Sequence, residues 1–580
     1  MTRARDSEFT PETAADAFLG VLAARGIDYF FLNGGTDFAP IAESYARGEA
    51  LGSRLPTPVI APHENLGIAM AHGYTMVSGR PQAMMVHVGV GSANLLNGTI
   101  NAARQNVPIL ICAGRTPLTE GGGEAALPGA RNNFIHWAQE HFDQGAMLRE
   151  FVKWDYELRH PDQVETVVDR ALAIAMSEPR GPVYLSLPRE MLGASNRHRP
   201  QARPSLAPAT PPAADPAALD EVAQRLAGAE SPLLITANAG RTEAGAGALT
   251  RFAETLAIPV VHYRPRYLAL PTEHPMQAGW DPHALLPKAD LVLVVDCDVP
   301  WIPVQGAPAP EARIVHIGTD PLFSRYPLRG FRSDIALTGV VAPTLDALRE
   351  RTLQLAPDET KRAARRTTVG ERCTSARLAA RGGAARVPDA LTGKWLSACL
   401  NHVMPADAIL VNEYPLVLEE MTIAESGRYF AASPAGGLGW GLGAALGAKL
   451  AAPERCVICT LGDGAYMFGN PTPGHFASES MRLPVLFVIF NNARWAAVHR
   501  ATLGMYPQGY AAKMARPPIA TLEPSPRFEK VVEASGGYGE RVTAPGDVIP
   551  ALERALRVVR DEGRQALVNV CLEASYVKTS

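Results

Sequence analysis

Two polar stops near the end of this chain limit its fold more than any other feature. Cys456-Val457-Ile458-Cys459-Thr460-Leu461, a short β-prone apolar run, ends at Gly462-Asp463-Gly464. Residues 465–490 then close with a second run, Leu483-Pro484-Val485-Leu486-Phe487-Val488-Ile489-Phe490, which leads straight into Asn491-Asn492. Both polar groups therefore sit at strand C-terminal ends, the edge where open α/β sheets bind ligands and helix N-termini favour phosphate. Asp463 offers an anionic oxygen and an Asn amide a neutral one, a set that suits Mg2+ completed by diphosphate oxygens and water. The glycines flanking Asp463 let the backbone approach a diphosphate closely. Either motif alone is ordinary turn chemistry; the two together, each after a strand, point to a metal–diphosphate site.

Three further segments carry a family likeness. Residues 63–84 read HENLGIAMAHGYTMVSGRPQAM, Val86 opens VHVGVGSANLLNGTINAARQNVPIL, and Gly436 opens GGLGWGLGAA. With GDG and NN, these resemble the motifs of thiamine diphosphate (ThDP) enzymes such as acetolactate synthase, pyruvate decarboxylase and benzoylformate decarboxylase. The resemblance implies that Asp463, Asn492 and the main-chain carbonyl of Arg494 bind the metal, and that Gly436, Gly462 and Gly464 line the cofactor. It also implies that Leu438 wedges between the two cofactor rings. Glu64 falls on the family's activating glutamate, whose carboxylate favours the imino form of the aminopyrimidine that takes up the C2 proton. Taken singly, Glu64 is equally a solvated charge at a helix start and Leu438 a core leucine.

The organisation fits a large soluble enzyme. Pro-rich SNRHRPQARPSLAPATPPAAD (195–215) reads as a linker. Ala356 to Val387, with KRAARR and RGGAAR and no steady apolar period, reads as a second connector, partly helical. The three remaining blocks alternate helical stretches with short strands and are expected to form three doubly wound α/β domains with central parallel sheets. They are 1–194 (pyrimidine-binding, by the resemblance), 216–350 (middle) and 385–580 (diphosphate-binding). In the family the first and third come from different subunits at each site, which implies a homodimer or homotetramer with active sites at subunit interfaces. A charged fraction of 19% and a formal net charge of −3 give no general attraction to nucleic acid or membrane, so the partners expected are a small-molecule substrate and other subunits. Seven scattered cysteines form no disulfide framework, and Cys456 and Cys459 read as buried thiols of one strand. With a polar N-terminus, the cytoplasm is the simplest compartment.

The reaction type is less constrained. Asn106 to Gly121 lacks the His-His pair of pyruvate-decarboxylase-like enzymes, whereas Gln139 and Lys153 fit acetolactate-synthase-like segments. After the Asn pair, however, Ala497 and Ala501 stand where that family has Met and Trp, which predicts a wider pocket. His87, His136 and His499 are candidates for proton handling, each of them also explicable as a structural histidine; His87 and His499 are taken as catalytic with Glu64. The reading is an acetolactate synthase-like 2-oxoacid decarboxylase or carboligase. The alternatives are a lyase acting on 2-hydroxyacyl-CoA, acyloins or diones, and a silent family member, against which the joint presence of Glu64, Asp463 and Asn492 speaks. Coenzyme A would need Arg241, Arg264 and Arg266 around an adenine site. Relatives' middle domains bind FAD, ADP, coenzyme A or nothing; the segment PRYLALPTEHPMQAGWDPHALLPKAD departs from the FAD-linked pattern, which speaks against FAD and for a structural middle domain.

Overall fold

The computed structural model describes residues 10–121, 129–381 and 387–573. Residues 1–9 of the polar N-terminus and 382–386 of RGGAAR lie outside them. Three all-parallel sheets follow one another. The first contains β1 (Tyr29–Asn33), β2 (Thr57–Ile60), β3 (Gln82–Val86), β4 (Ile109–Arg115), β5 (Asp155–Glu157) and β6 (Val183–Pro188), in the order β2-β1-β3-β4-β6-β5. The second contains β7 (Pro232–Thr236), β8 (Val260–His262), β9 (Leu291–Val295), β10 (Arg313–Gly318) and β11 (Ile335–Thr338), in the order β11-β10-β9-β7-β8. The third contains β12 (Ile409–Glu413), β13 (Tyr429–Ala431), β14 (Val457–Gly462), β15 (Leu486–Asn491), β16 (Tyr538–Val542) and β17 (Ala566–Cys571), in the order β13-β12-β14-β15-β17-β16.

The inner strands are near-continuous apolar runs because both faces are covered by helices, whereas the edge strands β5 and β16 carry Asp155, Glu157, Glu540 and Arg541. Successive side chains point to opposite faces, so one strand feeds two cores: Ile109 and Ile111 enter one cluster, Leu110 and Cys112 another. Phe487 and Ile489 divide from Leu486, Val488 and Phe490 in the same way.

The first and third sheets share one topology, with β12 in the place of β1 and β14 in that of β3. The helix Glu64–Ser78 after β2 therefore matches the helix Trp440–Ala451 after β13, and the two pack together in one core with Leu66, Met70, Leu442 and Leu446. Small residues set their approach, since a Cβ on Gly443 would lie 2.6 Å from the Ala69 Cβ.

The second connector, expected to be partly helical, is one continuous helix over Glu359–Arg381. Arg365 donates to the carbonyls of Leu256, Ala257 and Ala229, and Arg362 to that of Thr255, so guanidinium bonds to the ends of other helices hold it beside the two residues it buries, Val369 and Cys373. The Pro-rich linker runs along the first domain, where Ser205 donates its N–H and hydroxyl to Asp169, a residue that also pairs with Arg25. No helix among the described residues is long and apolar enough to cross a membrane.

Candidate active site

In the third sheet the chain reverses its strand order between β12 and β14, and the crevice outside those strand ends collects the polar stops. Asp463 opens the short helix Asp463–Phe468 directly after β14, and Asn492 follows β15. Their oxygens converge on one donor: the Arg494 N–H lies 3.3 Å from Asp463 Oδ2 and 3.0 Å from Asn492 Oδ1. Asp463 Oδ1 accepts from the Gly464 N–H at 2.8 Å. Backbone donors meet this buried carboxylate, and burial pushes its pKa up to about 6. The first asparagine does different work, as Asn491 donates to Ser525 Oγ at 2.8 Å and Asn569 Oδ1 at 2.9 Å, tying β15 to β17. Trp495 packs on the Gly464 backbone where a Cβ would overlap its ring, and its ring meets Phe468 edge-on with centroids 5.5 Å apart. Beside Gly462, by contrast, a Cβ would meet nothing within 4 Å.

The turn Gly436–Gly439 after β13 completes this edge. Gly439 needs glycine, since its φ of 86° is left-handed and a Cβ would lie 2.5 Å from the Phe468 carbonyl. Half-buried Leu438 stands at the centre of the turn.

The first sheet builds a second edge from the loops after β1, β2 and β3. Glu64 opens its helix after β2, with His63 as N-cap, and its Oε2 accepts from Asn94 Nδ2 at 2.6 Å. His87 follows β3 and Asp37 follows β1, on the two sides of the switch in strand order. Asp37 Oδ1 is 2.5 Å from His87 Nδ1, and Gln139 Nε2 is 3.1 Å from His87 Nε2. The hydrogen bond to Asp37 raises the His87 pKa against the effect of burial, with smaller help from Gln139 and Glu64. Gly35 and Gly114 make the room: a Cβ on either would overlap His87 or Asp37. Val88, next in the chain, holds a φ of 30°, rare for a β-branched residue and typical of strained functional loops.

The structure thus gathers Asp463, Asn492, Arg494, Gly462 and Gly464 with the Gly436–Leu438 turn on one edge, and Glu64 with His87 on another. His499 lies on Ala496–Met505, a helix that buries none of its residues, and its ring has no hydrogen-bond partner among the described residues. His136 is buried beside the Asp37–His87 edge of the first sheet, where burial first and then Arg189 lower its pKa. Lys153 stands apart from both edges, donating to the Ile174 and Ser177 carbonyls at 2.6 Å each. Sequence reasoning missed Asp37 and Glu413. The signal for Asp37 was Asn33-Gly34-Gly35-Thr36-Asp37 straight after an apolar run; Glu413 had none beyond ending one.

Three family models match the chain in order. "Thiamine pyrophosphate enzyme, N-terminal TPP binding domain" matches residues 12–147, the central domain 219–348 and the C-terminal TPP binding domain 414–570. A probable 2-ketoarginine decarboxylase of Pseudomonas aeruginosa is 30% identical, over 94% of this chain and 91% of that protein. The chain belongs to the thiamine diphosphate enzyme family. Benzoylformate decarboxylase of the same organism is 28% identical over 84% of this chain and 87% of that protein. A probable acetolactate synthase of Mycobacterium bovis is 26% identical over 96% and 94%. The solved structure of a Rhodococcus jostii RHA1 ThDP-dependent 4-hydroxybenzoylformate decarboxylase shares the fold, with a TM-score of 0.76 at 23% identity, covering 97% of this chain and 100% of that one. This ThDP enzyme is therefore of the decarboxylase and acetolactate synthase kind.

The residues present fit a ThDP diphosphate and its metal. A buried carboxylate, an adjacent amide oxygen and open space beside Gly462 form a cradle of the right chemistry. The middle domain fits a dinucleotide less well. Its switch crevice, between β7 and β9, is closed by Arg266 on Asp298 at 2.6 Å and by Arg241 near Asp296 at 3.4 Å. A cavity of about 100 Å3 lies beside Asp296, and a larger one of about 550 Å3 opens between Arg264–Arg266 and the Tyr414–Leu416 segment of the third domain, within the range usual for ligand sites.

Proposed function

We propose that this ThDP enzyme is a Mg2+-dependent 2-oxoacid decarboxylase, with carboligation of the acyl group as its second reading. The observation that carries the proposal is the Asp37–His87 pair. Asp37 is 3% exposed and His87 17%, and their hydrogen bond favours the protonated form of a ring at the mouth of a crevice. Protonated, with the Gln139 amide turned so that its oxygen faces Nε2, such a ring attracts the carboxylate of a 2-oxoacid and can return a proton after CO2 leaves. Bound ThDP supplies the electron sink for the breaking C–C bond. Asp463, Asn492 and the Arg494 carbonyl would hold Mg2+, Leu438 would shape the cofactor, and Glu64 would polarise its pyrimidine. The decarboxylases among the relatives support the class and leave the side chain of the acid open.

Both edges are rimmed by bare apolar side chains, with Phe134 82%, Phe142 112%, Phe468 54% and Met505 72% exposed. Such a surface fits burial against a second copy, which supports a homodimer or homotetramer in which Glu64 of one subunit serves the metal site of another. Free thiols at Cys112, Cys297, Cys373, Cys399, Cys456, Cys459 and Cys571 fit a reducing compartment, the cytoplasm. The coenzyme A alternative loses support, because Arg241 and Arg266 face aspartates and only Arg264 of the three is exposed. The Arg241–Asp296 and Arg266–Asp298 pairs likewise support a structural middle domain over an FAD site.

The test is CO2 release from pyruvate, benzoylformate and 2-oxo-5-guanidinopentanoate, with ThDP and Mg2+ and with acyloin products followed in parallel. Release from at least one acid, lost in His87→Ala, is expected. Cleavage of acyloins or 2-hydroxyacyl-CoA esters without CO2 release from any acid would favour the lyase instead.

A further inference from the structure

We propose that Glu413 and Asn101 are positioning residues that clamp the cofactor turn Gly436–Gly439 from two sides, fixing Leu438 before any ligand arrives. The proposal rests on the ThDP reading of that turn. Glu413 ends β12, is 0% exposed, and points its carboxylate into the N-terminus of the helix Trp440–Ala451. Its Oε1 accepts from the Gly439 N–H at 2.8 Å and its Oε2 from the Gly441 N–H at 2.6 Å. A buried carboxylate without a cation is costly, and burial pushes its pKa up to about 7. A neutral cap would satisfy the same helix end at less cost, so what the carboxylate adds is rigidity on both sides of Trp440.

Asn101 grips the other end of the turn from the first domain. It is 1% exposed, accepts from the Gly437 N–H at 3.2 Å and donates to the Gly437 carbonyl at 2.7 Å. Asn97, one turn earlier on the helix Leu96–Arg104, donates to the Leu438 carbonyl at 3.1 Å. Leu438 is thus held through its own carbonyl and through both neighbours' backbone groups, while its side chain makes none of these bonds. That arrangement presets a side chain without filling the space in front of it.

The test uses Glu413→Gln, Glu413→Ala and Asn101→Ala in the full-length protein. Three readouts are needed: ThDP affinity at saturating Mg2+, hydrogen exchange of the turn amides without cofactor, and kcat and KM on the accepted acid. The clamp predicts faster exchange at Gly437 in Asn101→Ala and at Gly439 and Gly441 in the Glu413 variants. It predicts ThDP affinity weakened about tenfold or more, the size of one charge-assisted hydrogen bond, with Gln milder than Ala because it keeps one acceptor. In cofactor-saturated enzyme kcat should fall with KM little changed. If Glu413→Ala does not fold, Glu413→Gln and Asn101→Ala decide the matter. Wild-type exchange and affinity in both would overturn the clamp. Failure of the wild type itself to bind ThDP would instead overturn the reading of the turn, while the exchange result would still judge the clamp.

Discussion

Two glycines on the same edge should respond to alanine in opposite ways, and the contrast separates folding from binding. At Gly462 the backbone has φ −73° and ψ 155°, which any residue adopts, and a Cβ would meet nothing within 4 Å. Gly462→Ala should leave the cofactor-free protein as stable as wild type, or stabilise it by up to about 1 kcal/mol through a stiffer unfolded chain. The new methyl would fill the space assigned to the diphosphate, however. Overpacking of this kind costs about 1–3 kcal/mol, or roughly 5- to 150-fold in ThDP affinity. At Gly439 the left-handed φ alone costs an alanine about 1–2 kcal/mol. A Cβ 2.5 Å from the Phe468 carbonyl adds an overlap with backbone that cannot swing away, for a total of about 2–5 kcal/mol. Denaturant unfolding without cofactor and calorimetric titration with ThDP and Mg2+ measure the two quantities. The reasoning is refuted if Gly462→Ala binds ThDP as wild type does, or if Gly439→Ala unfolds at the wild-type denaturant concentration.

Asp37 raises the His87 pKa, so the pair's stabilisation is present below the ordinary histidine value and is lost as pH rises through the raised one. Decarboxylation should fall on that alkaline limb; Asp37→Asn should move the limb to lower pH and cut kcat/KM at neutral pH on the order of a hundredfold, and an unmoved limb would clear His87 of the role. Asp463→Ala should abolish metal-dependent ThDP binding in calorimetry, and equal ThDP affinity of the wild type with and without chelator would remove the metal assignment. Ala497→Met, on the exposed helix Ala496–Met505, should penalise bulky acids by about 1–3 kcal/mol relative to pyruvate; a uniform loss would take position 497 out of the acyl pocket.

What was legible in the sequence follows from what is local. Strand runs such as Ile109–Cys112 and Leu486–Phe490 announce parallel sheets buried on both faces, and GDG and NN mark strand ends because glycine and asparagine stop a ladder there. The metal edge needs only loops after neighbouring strands β14 and β15, so spacing along the chain was enough to pair Asp463 with Asn492. Asp37 and His87 also come from neighbouring strands, but 50 residues separate them, and only the switch in strand order brings them into contact. Glu413 was invisible because its partners are backbone N–H groups of a distant turn. The bounds of the helix Glu359–Arg381 were less legible for a related reason, since carbonyls on other elements help to hold it and it buries only Val369 and Cys373 of its own.

The central claim is that this chain activates ThDP through Glu64. The most direct measurement is proton–deuterium exchange at the cofactor's C2 position, followed by quenched-flow NMR in wild type and Glu64→Gln, which needs no knowledge of the substrate. Glu64→Gln should still bind ThDP with Mg2+ but exchange C2 on the order of a hundredfold or more slowly, because a neutral amide cannot polarise the pyrimidine as a carboxylate does. Equal exchange rates in the two proteins would contradict the account.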